Sequence, residues 1–406
     1  RKVFVLGGHT SKFIGKNHPD FIWKKHPLFG KKENPTLKEY LVEAIQKTLS
    51  VNNADAGLVD KAYVANFAGE LFSSQGHLGS AVAEASEKLM FVPSMRVEGA
   101  CASGGLAFNA AVDSVLAGND VCLVVGAEVQ NTVSAREGGS FLARAADFER
   151  QRPIDDFTFP ALFALRKKHY MAKYGIKQED IDAVVLKCYQ NGHKNPLAHM
   201  HATPMTAKDV AESATFLSNA ELKDHLKLVE CSQVSDGASG LLVVSEEGLS
   251  KMGLSKNQAI EVLASQICTG NLYRDTDDSL TDMLTSAEAA KRAYAKAGIK
   301  QSDVNVAEVH DCFAIAEICM MDALGFSKPG EGAFVHKERP IVNCGGGLLS
   351  YGHPVGTTGV KQINEIYKQM KGKAGDYQLA GPVDIGLASN MGGNDKTTVV
   401  SIFKNL

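Results

Sequence analysis

The order of apolar runs predicts an α/β chain built from a duplicated unit, and two observations carry that reading. In the first half a strand over 2–6 leads to a helix over 37–49, a turn, and a strand over 61–66; in the second, a strand over 260–265 leads to a helix over 286–297, a turn over 298–303 and a strand over 306–310. Each half then delivers a glycine-rich loop that opens a helix and a closing strand, residues 101–105 with 121–125 and residues 352–359 with 383–388. One repeated order of elements is most simply a duplicated β/α unit.

Between the halves, residues 132–228 differ in character: His, Pro and Met residues, a short helical pattern over 163–173, charged turns, and no long apolar strand. This stretch is expected to be an inserted loop or lid domain. The first half then closes through Gly240-Leu241-Leu242-Val243-Val244, a buried-strand signal after the turn Ser235-Asp236-Gly237. The expected division is residues 1–131 completed by 229–252, the insertion 132–228, and the second half 253–406. A smaller insertion, residues 16–35, interrupts the first strand-to-helix step with Trp23, Pro19, Pro27 and several lysines, and suggests no function.

The 406 residues suit two or three units of about 150. With 44% apolar residues, 22% charged residues and a net charge of −3, the chain has neither the composition of disorder nor a global field for nucleic acid or an anionic membrane. Eight cysteines without a C-x-x-C pair argue against a disulfide framework or a zinc module and favour a reducing compartment. The longest apolar runs stop far short of the roughly 20 residues that span a bilayer.

Three loops carry the chemistry. Cys101 precedes Gly104-Gly105 at the start of an amphipathic helix, where free backbone N–H groups and the helix dipole favour a thiolate and glycines admit a substrate. His353 lies in Gly352-His353-Pro354, before a helix patterned by Val360, Ile363, Tyr367 and Met370. The duplication sets it opposite Cys101, as a base or oxyanion donor. His310-Asp311-Cys312-Phe313 ends a strand of the second half, at the carboxyl end where β/α proteins place functional side chains. The plainer readings are a packed cysteine and satisfied loop histidines. No second ligand pair supports zinc at His310 and Cys312, and no metal is expected. Cys319, on an apolar helical face, reads as core.

Together, Cys101-Ala102-Ser103, the H-D-C-F run at 310–313, Asn343-Cys344-Gly345-Gly346-Gly347 and Gly352-His353-Pro354 resemble the thiolase superfamily, and in detail the sterol carrier protein type 2 thiolases. The resemblance covers nearly the whole chain. It implies a five-layered αβαβα fold with the insertion as a lid, and thiolysis of a 3-ketoacyl-CoA, or its Claisen reverse, with coenzyme A as co-substrate and no permanently bound cofactor. Cys101 would be acylated, His353 would accept its proton, and His310 would hold a water in one oxyanion hole. The N–H groups of Cys101 and Gly392 would form the other. Conventional thiolases carry a second cysteine in a C-x-G motif, where this chain has Asn390-Met391-Gly392. Asn390 cannot shuttle a proton, so the resemblance gives that role to Cys312, whose thiol, near pKa 8.5, would suit it.

Ser232 matches a position near the pantetheine arm, and Arg166, Lys167, Lys168, Lys187 and Lys194 are unranked candidates for the CoA phosphates. The resemblance further implies a homodimer or tetramer and a place in fatty acid β-oxidation. The expected location is intracellular, the mitochondrial matrix or a peroxisome-like organelle; the chain opens at Arg1, as if a leader were removed or left out, and Lys404-Asn405-Leu406 loosely resembles a peroxisomal address. Two other readings stay open: a thiolase-fold protein that binds acyl-CoA or lipid without turnover, and a condensing synthase.

Overall fold

Strands form where the apolar runs are unbroken, because such runs can be buried on both faces. The structure is a computed structural model that describes residues 1–273, 276–339 and 341–406. In the first half β1 (Phe4–Thr10), β2 (Lys61–Ala65), β3 (Ser94–Val97), β4 (Val121–Glu128) and β5 (Gly237–Val244) lie in the order β3-β2-β4-β5-β1. The second half adds β6 (Ile260–Thr269), β7 (Val306–Glu308), β8 (Ile385–Gly392) and β9 (Thr397–Asn405) in the order β6-β9-β8-β7. The two sets join edge to edge through a short antiparallel contact of β1 with β6, Phe4 with Glu261 and Val5 with Ile260.

The duplication is explicit in the pairing. β1 runs antiparallel to β5, β5 antiparallel to β4, and β4 parallel to β2. In the same way β6 runs antiparallel to β9, β9 antiparallel to β8, and β8 parallel to β7. The counterpart of β3 is reduced to a single parallel bridge between Ala307 and Val342.

Alternate side chains of each strand feed different cores. Leu6, Val64, Leu123 and Leu242 pack with Leu41 and Ile45 of α1 (Leu37–Val51) on the outer face. Thr36 and Glu39 close the N-terminus of α1 as a capping box. Val5, Cys122, Val124 and Val243 face inward, onto Phe108, Ala111 and Val115 of α2 (Ser103–Leu116). The insertion contributes α3 (Thr158–Tyr174) and α4 (Gln178–His193), and the second half α5 (Leu284–Ala297), α6 (Ala314–Ala323) and α7 (Thr358–Met370). Val360, Ile363 and Ile366 of α7 share the inner core with α2, whereas Ala289 and Ala293 of α5 pack outside the second sheet with Leu387 and Ile402. Helix, sheet, paired helices, sheet and helix thus form five αβαβα layers.

α2 and α7 approach backbone to backbone at their N-termini, Gly104 against Gly359. A Cβ on Gly104 would lie 2.7 Å from the backbone N of Gly359, so only glycine allows the approach. The loops that open these helices, carrying Cys101 and His353, are thereby brought face to face.

Several strand bounds differ from the sequence reading. The extended segment that the sequence suggests over 91–98, before Cys101, is a strand only over Ser94–Val97, because Phe91 takes a positive φ of 70°. The strand expected to reach His310 stops at Glu308, because the N–H of Val309 donates to the side chain of Asn343 instead of a neighbouring strand. β4 and β8 run further than their apolar cores, ending on Glu128 and on Asn390-Met391-Gly392. The insertion also differs from a freestanding unit: Phe163, Tyr170, Val184 and Cys188 belong to the core of the second half with Ile315, Ile318 and Leu348.

Candidate active site

Cys101 sits in a 3₁₀ turn, Ala100–Ala102, that runs directly into α2. The turn needs a positive φ of 53° at Ala100, an uncommon backbone for a residue with a Cβ. Its neighbours hold it there. The Ala100 N–H donates to Glu98 Oε1 at 2.6 Å, and the Ser103 hydroxyl donates to the Ala100 carbonyl at 2.6 Å while accepting from the Gly99 N–H. The serine of Cys-Ala-Ser therefore shapes the turn that presents the sulfur.

His353 is fixed through its backbone. Its N–H donates to the Gln233 carbonyl at 3.0 Å, and its own carbonyl accepts from Gln130 Nε2 at 2.8 Å. Its Nδ1 lies 2.6 Å from the Thr358 hydroxyl. Three residues on, the Gly356 N–H donates to Glu128 Oε2, which also accepts from Phe67 N–H. Burial pushes the Glu128 carboxyl up to about 7 against these hydrogen bonds. Neither Glu128 nor Gln130 nor Thr358 stands out by residue type alone, although a lone acid ending the apolar run 121–127 is a signal that could have been read.

His310 lies two residues beyond β7. The buried Asp311 accepts from Leu348 N–H at 2.6 Å, tying this loop to the glycine run before His353. Burial and the nearby Glu317 push the Asp311 carboxyl up to about 8. Cys312 is buried, its carbonyl accepts from Ser232 N–H at 2.9 Å, and Phe313 stacks on Phe163 of the insertion with centroids 4.4 Å apart.

The three loops converge. The Cys101 sulfur, a ring nitrogen of His310 and a ring nitrogen of His353 lie within 4.8 Å of one another, and the two rings meet edge to face with centroids 5.1 Å apart. In both rings Nδ1 is engaged, by Asn390 for His310 and by Thr358 for His353, whereas Nε2 is buried without a partner. Two ring nitrogens are thus left for whatever meets the sulfur.

The electrostatics differ from a ready-made thiolate. Burial pushes the Cys101 thiol up to about 12, and the Gly393 N–H only partly offsets this. Burial, then Lys361, pulls His353 down to about 3, while burial, His353 and Lys361 hold His310 well below the ordinary histidine value. Burial, then Cys101 and Asp311, raises the Cys312 thiol well above its usual range, so it is not the thiol near 8.5 expected above. At rest the site is a neutral thiol facing neutral imidazoles. The N–H that reaches the Cys101 sulfur belongs to Gly393, one residue beyond the expected donor Gly392. Gly392 instead marks a close backbone approach, since a Cβ there would collide with the Gly99 carbonyl oxygen.

Cys101, His310 and His353 are close enough to share a metal ion. Cys188, Asp311 and Glu317 form a second such group, in which the Lys187 ammonium already pairs with Glu317.

Three of the five cations put forward as phosphate ligands are committed elsewhere. Arg166 is fully buried and donates to Asn394 Oδ1 and to the carbonyls of Ser279 and Leu280. Lys167 is buried in an ion pair with Glu230 at 2.7 Å, and Lys187 is spent on Glu317. A buried cation needs its partner, so these three are structural. Lys168 is partly exposed and Lys194 exposed.

Comparisons with known proteins agree across the chain. Residues 27–247 match the family model "Thiolase, N-terminal domain" and residues 268–405 "Thiolase C-terminal domain-like". An acetyl-CoA acetyltransferase of Methanocaldococcus jannaschii is 34% identical, over 91% of this chain and 94% of that one. Human sterol carrier protein 2 is 28% identical over 100% of this chain and 72% of its own length. The fold matches that of Acat5 thiolase from Ascaris suum, solved in complex with coenzyme A, with a TM-score of 0.72 at 13% identity and full coverage of both chains.

Proposed function

The chain belongs to the thiolase family, and from that premise we propose that it is an acyltransferase that cleaves a 3-ketoacyl-CoA with coenzyme A, or runs the Claisen condensation in reverse. The observation that carries this reading is the meeting of the Cys101 sulfur with His310 and His353, both with Nε2 free. As sulfur attacks the keto carbon, its proton passes to His353 Nε2, and the Nε2 atoms of the two histidines flank the developing oxyanion. The C2–C3 bond then breaks, leaving acyl-Cys101 and the enolate of acetyl- or propionyl-CoA. Cys312 protonates the enolate carbon. Its thiolate next takes the proton of incoming CoA, whose sulfur attacks the thioester, with the N–H groups of Cys101 and Gly393 stabilising the oxyanion. Cys101 leaves as thiolate and recovers its proton from the His353 imidazolium.

The high pKa of Cys312 fits this cycle, since a buried thiol gives its proton only to a strong base such as an enolate and becomes a strong base itself. Ser232, whose N–H meets the Cys312 carbonyl, would contact the pantetheine arm, and the exposed part of Lys168 and Lys194 would meet the CoA phosphates. Such a reaction belongs to fatty acid β-oxidation. Among the described residues no helix is long and apolar enough to cross a membrane. The test is a CoA-dependent thiolysis assay over a panel of 3-ketoacyl-CoA substrates. CoA-dependent formation of two shorter acyl-CoA products is expected, and binding of acyl-CoA without turnover on every substrate would overturn the reading in favour of a non-catalytic carrier.

A homodimer through the first half completes the proposal. β3 is the open edge of its sheet, and Met90, Phe91 and Met95 leave 52%, 94% and 43% of their surface exposed around it. An unpaired edge beside exposed apolar side chains favours association with a second copy. Sedimentation should give twice the 43.4 kDa chain mass, and a fully active monomer would reject it.

A further inference from the structure

Asn390 occupies the place where conventional thiolases carry a proton-shuttling cysteine, and its surroundings give it a different task. Its side chain is buried and wedged between the N-termini of α2 and α7; a Cβ on either Gly105 or Gly359 would strike its Oδ1. Two backbone groups settle which way the amide points. The Gly105 N–H donates to Oδ1 at 2.9 Å, and Nδ2 donates to the Cys101 carbonyl at 2.9 Å. Turning the amide over would set donor against donor at Gly105 and acceptor against acceptor at Cys101. The second Nδ2 proton then lies 3.2 Å from His310 Nδ1. An amide NH₂ can only donate, so this ring nitrogen must accept and carry no proton. A neutral imidazole has one N–H, which falls on Nε2, the buried nitrogen left without a partner.

We propose that Asn390 is a positioning residue that locks His310 in the Nε2–H tautomer, making its Nε2 a fixed hydrogen-bond donor to the oxyanion formed on Cys101 attack. His353 contrasts with it. The partner of its Nδ1 is the Thr358 hydroxyl, which can donate or accept, so His353 can pass between states as a base must, whereas His310 cannot. The same Asn390 amide also grips the Cys101 carbonyl, so one side chain sets both the nucleophile turn and the donor facing it. Asn390 touches no reacting atom and acts through His310. The inference rests on the thiolysis reading only for what the donor stabilises; the tautomer is a property of the resting protein.

The test uses the whole protein labelled with ¹⁵N-histidine and long-range proton–nitrogen correlation, with His310→Gln identifying the His310 signals. The unmodified protein should show His310 neutral with its proton on Nε2 alone. In Asn390→Asp the carboxylate keeps the acceptor for Gly105 but offers His310 Nδ1 an acceptor, so the Nδ1 proton should appear. The rate constant kcat should fall by about 10²–10³-fold, the cost of losing one oxyanion donor, with little change in KM. A wild-type spectrum with the proton on Nδ1 overturns the proposal, and needs no variant to fold. So does an Asn390→Asp protein in which Nε2–H persists while kcat falls, since the residue would then act only on structure, or one whose kcat is unchanged. If the unmodified protein lacks thiolysis altogether, the functional reading fails while the spectrum still decides the tautomer.

Discussion

Replacing Cys101 with alanine should reduce thiolysis by at least about 10⁴-fold, in the range seen when a covalent nucleophile is removed. The turn that holds residue 101 is built from Glu98, Gly99, Ala100 and Ser103, none of which uses the sulfur, so Cys101→Ala should fold with an unchanged melting transition. The loss is then chemical. In the unmodified protein, brief incubation with a 3-ketoacyl-CoA followed by peptide mapping should find the acyl group on the peptide carrying Cys101. Of the eight cysteines, only Cys101 and Cys231 are partly exposed, and the other six are buried. Cys231 is therefore the competitor the experiment must exclude. An acyl group mapped to Cys231, or thiolysis surviving in Cys101→Ala, would remove Cys101 from the proposed mechanism.

The legible parts of the sequence were those with one-dimensional signatures. Apolar runs marked the strands because both faces of each sheet are covered, and the duplicated order of elements placed Cys101 and His353 in equivalent loops before their distance was known. What escaped was polar and long-range. Glu128 and Asn390 lie at the ends of β4 and β8, past the point where apolarity fades, and their partners are 60 to 290 residues away along the chain: Glu128 joins Phe67 to Gly356, and Asn390 joins Cys101, Gly105 and His310. Spacing along one chain cannot reveal such contacts. Charge state was equally hidden. A helix N-terminus predicts a thiolate at Cys101, yet at the seam of the two halves desolvation of the sulfur outweighs the dipole and the thiol stays protonated. The five cations of the insertion could not be ranked from sequence, and three of them proved to be committed to partners inside the protein, Arg166 to Asn394 and carbonyls and Lys167 and Lys187 to carboxylates, because the insertion packs into the second half instead of standing apart.

Cys312→Ala should separate the two half-reactions. Acyl transfer from a reactive acyl-CoA onto sulfur needs Cys101 and His353, both of which remain, so acyl-Cys101 should still be detected. Protonation of the departing enolate and deprotonation of incoming CoA should both slow, because the remaining thiols near the site are buried for packing: Cys319 lies in the apolar core on α6. Overall thiolysis is expected to fall by about 10²–10⁴-fold, the usual contribution of a positioned acid–base group. The substitution removes one sulfur from a buried site, so some loss of stability is expected alongside, and the ratio of acylation to turnover is the informative quantity. Incorporation of solvent deuterium at C2 of the acetyl-CoA product reads the enolate step directly and should drop with turnover. A carrier without catalysis predicts no thiolysis in the unmodified protein and no difference between Cys312→Ala and Cys101→Ala. Turnover at the unmodified rate in Cys312→Ala would overturn the assignment and move the search for the acid to the two histidines. Of these, His353 would have to serve both thiols, because His310 Nδ1 faces the Asn390 amide, which can only donate, whereas the Thr358 hydroxyl at His353 Nδ1 can donate or accept.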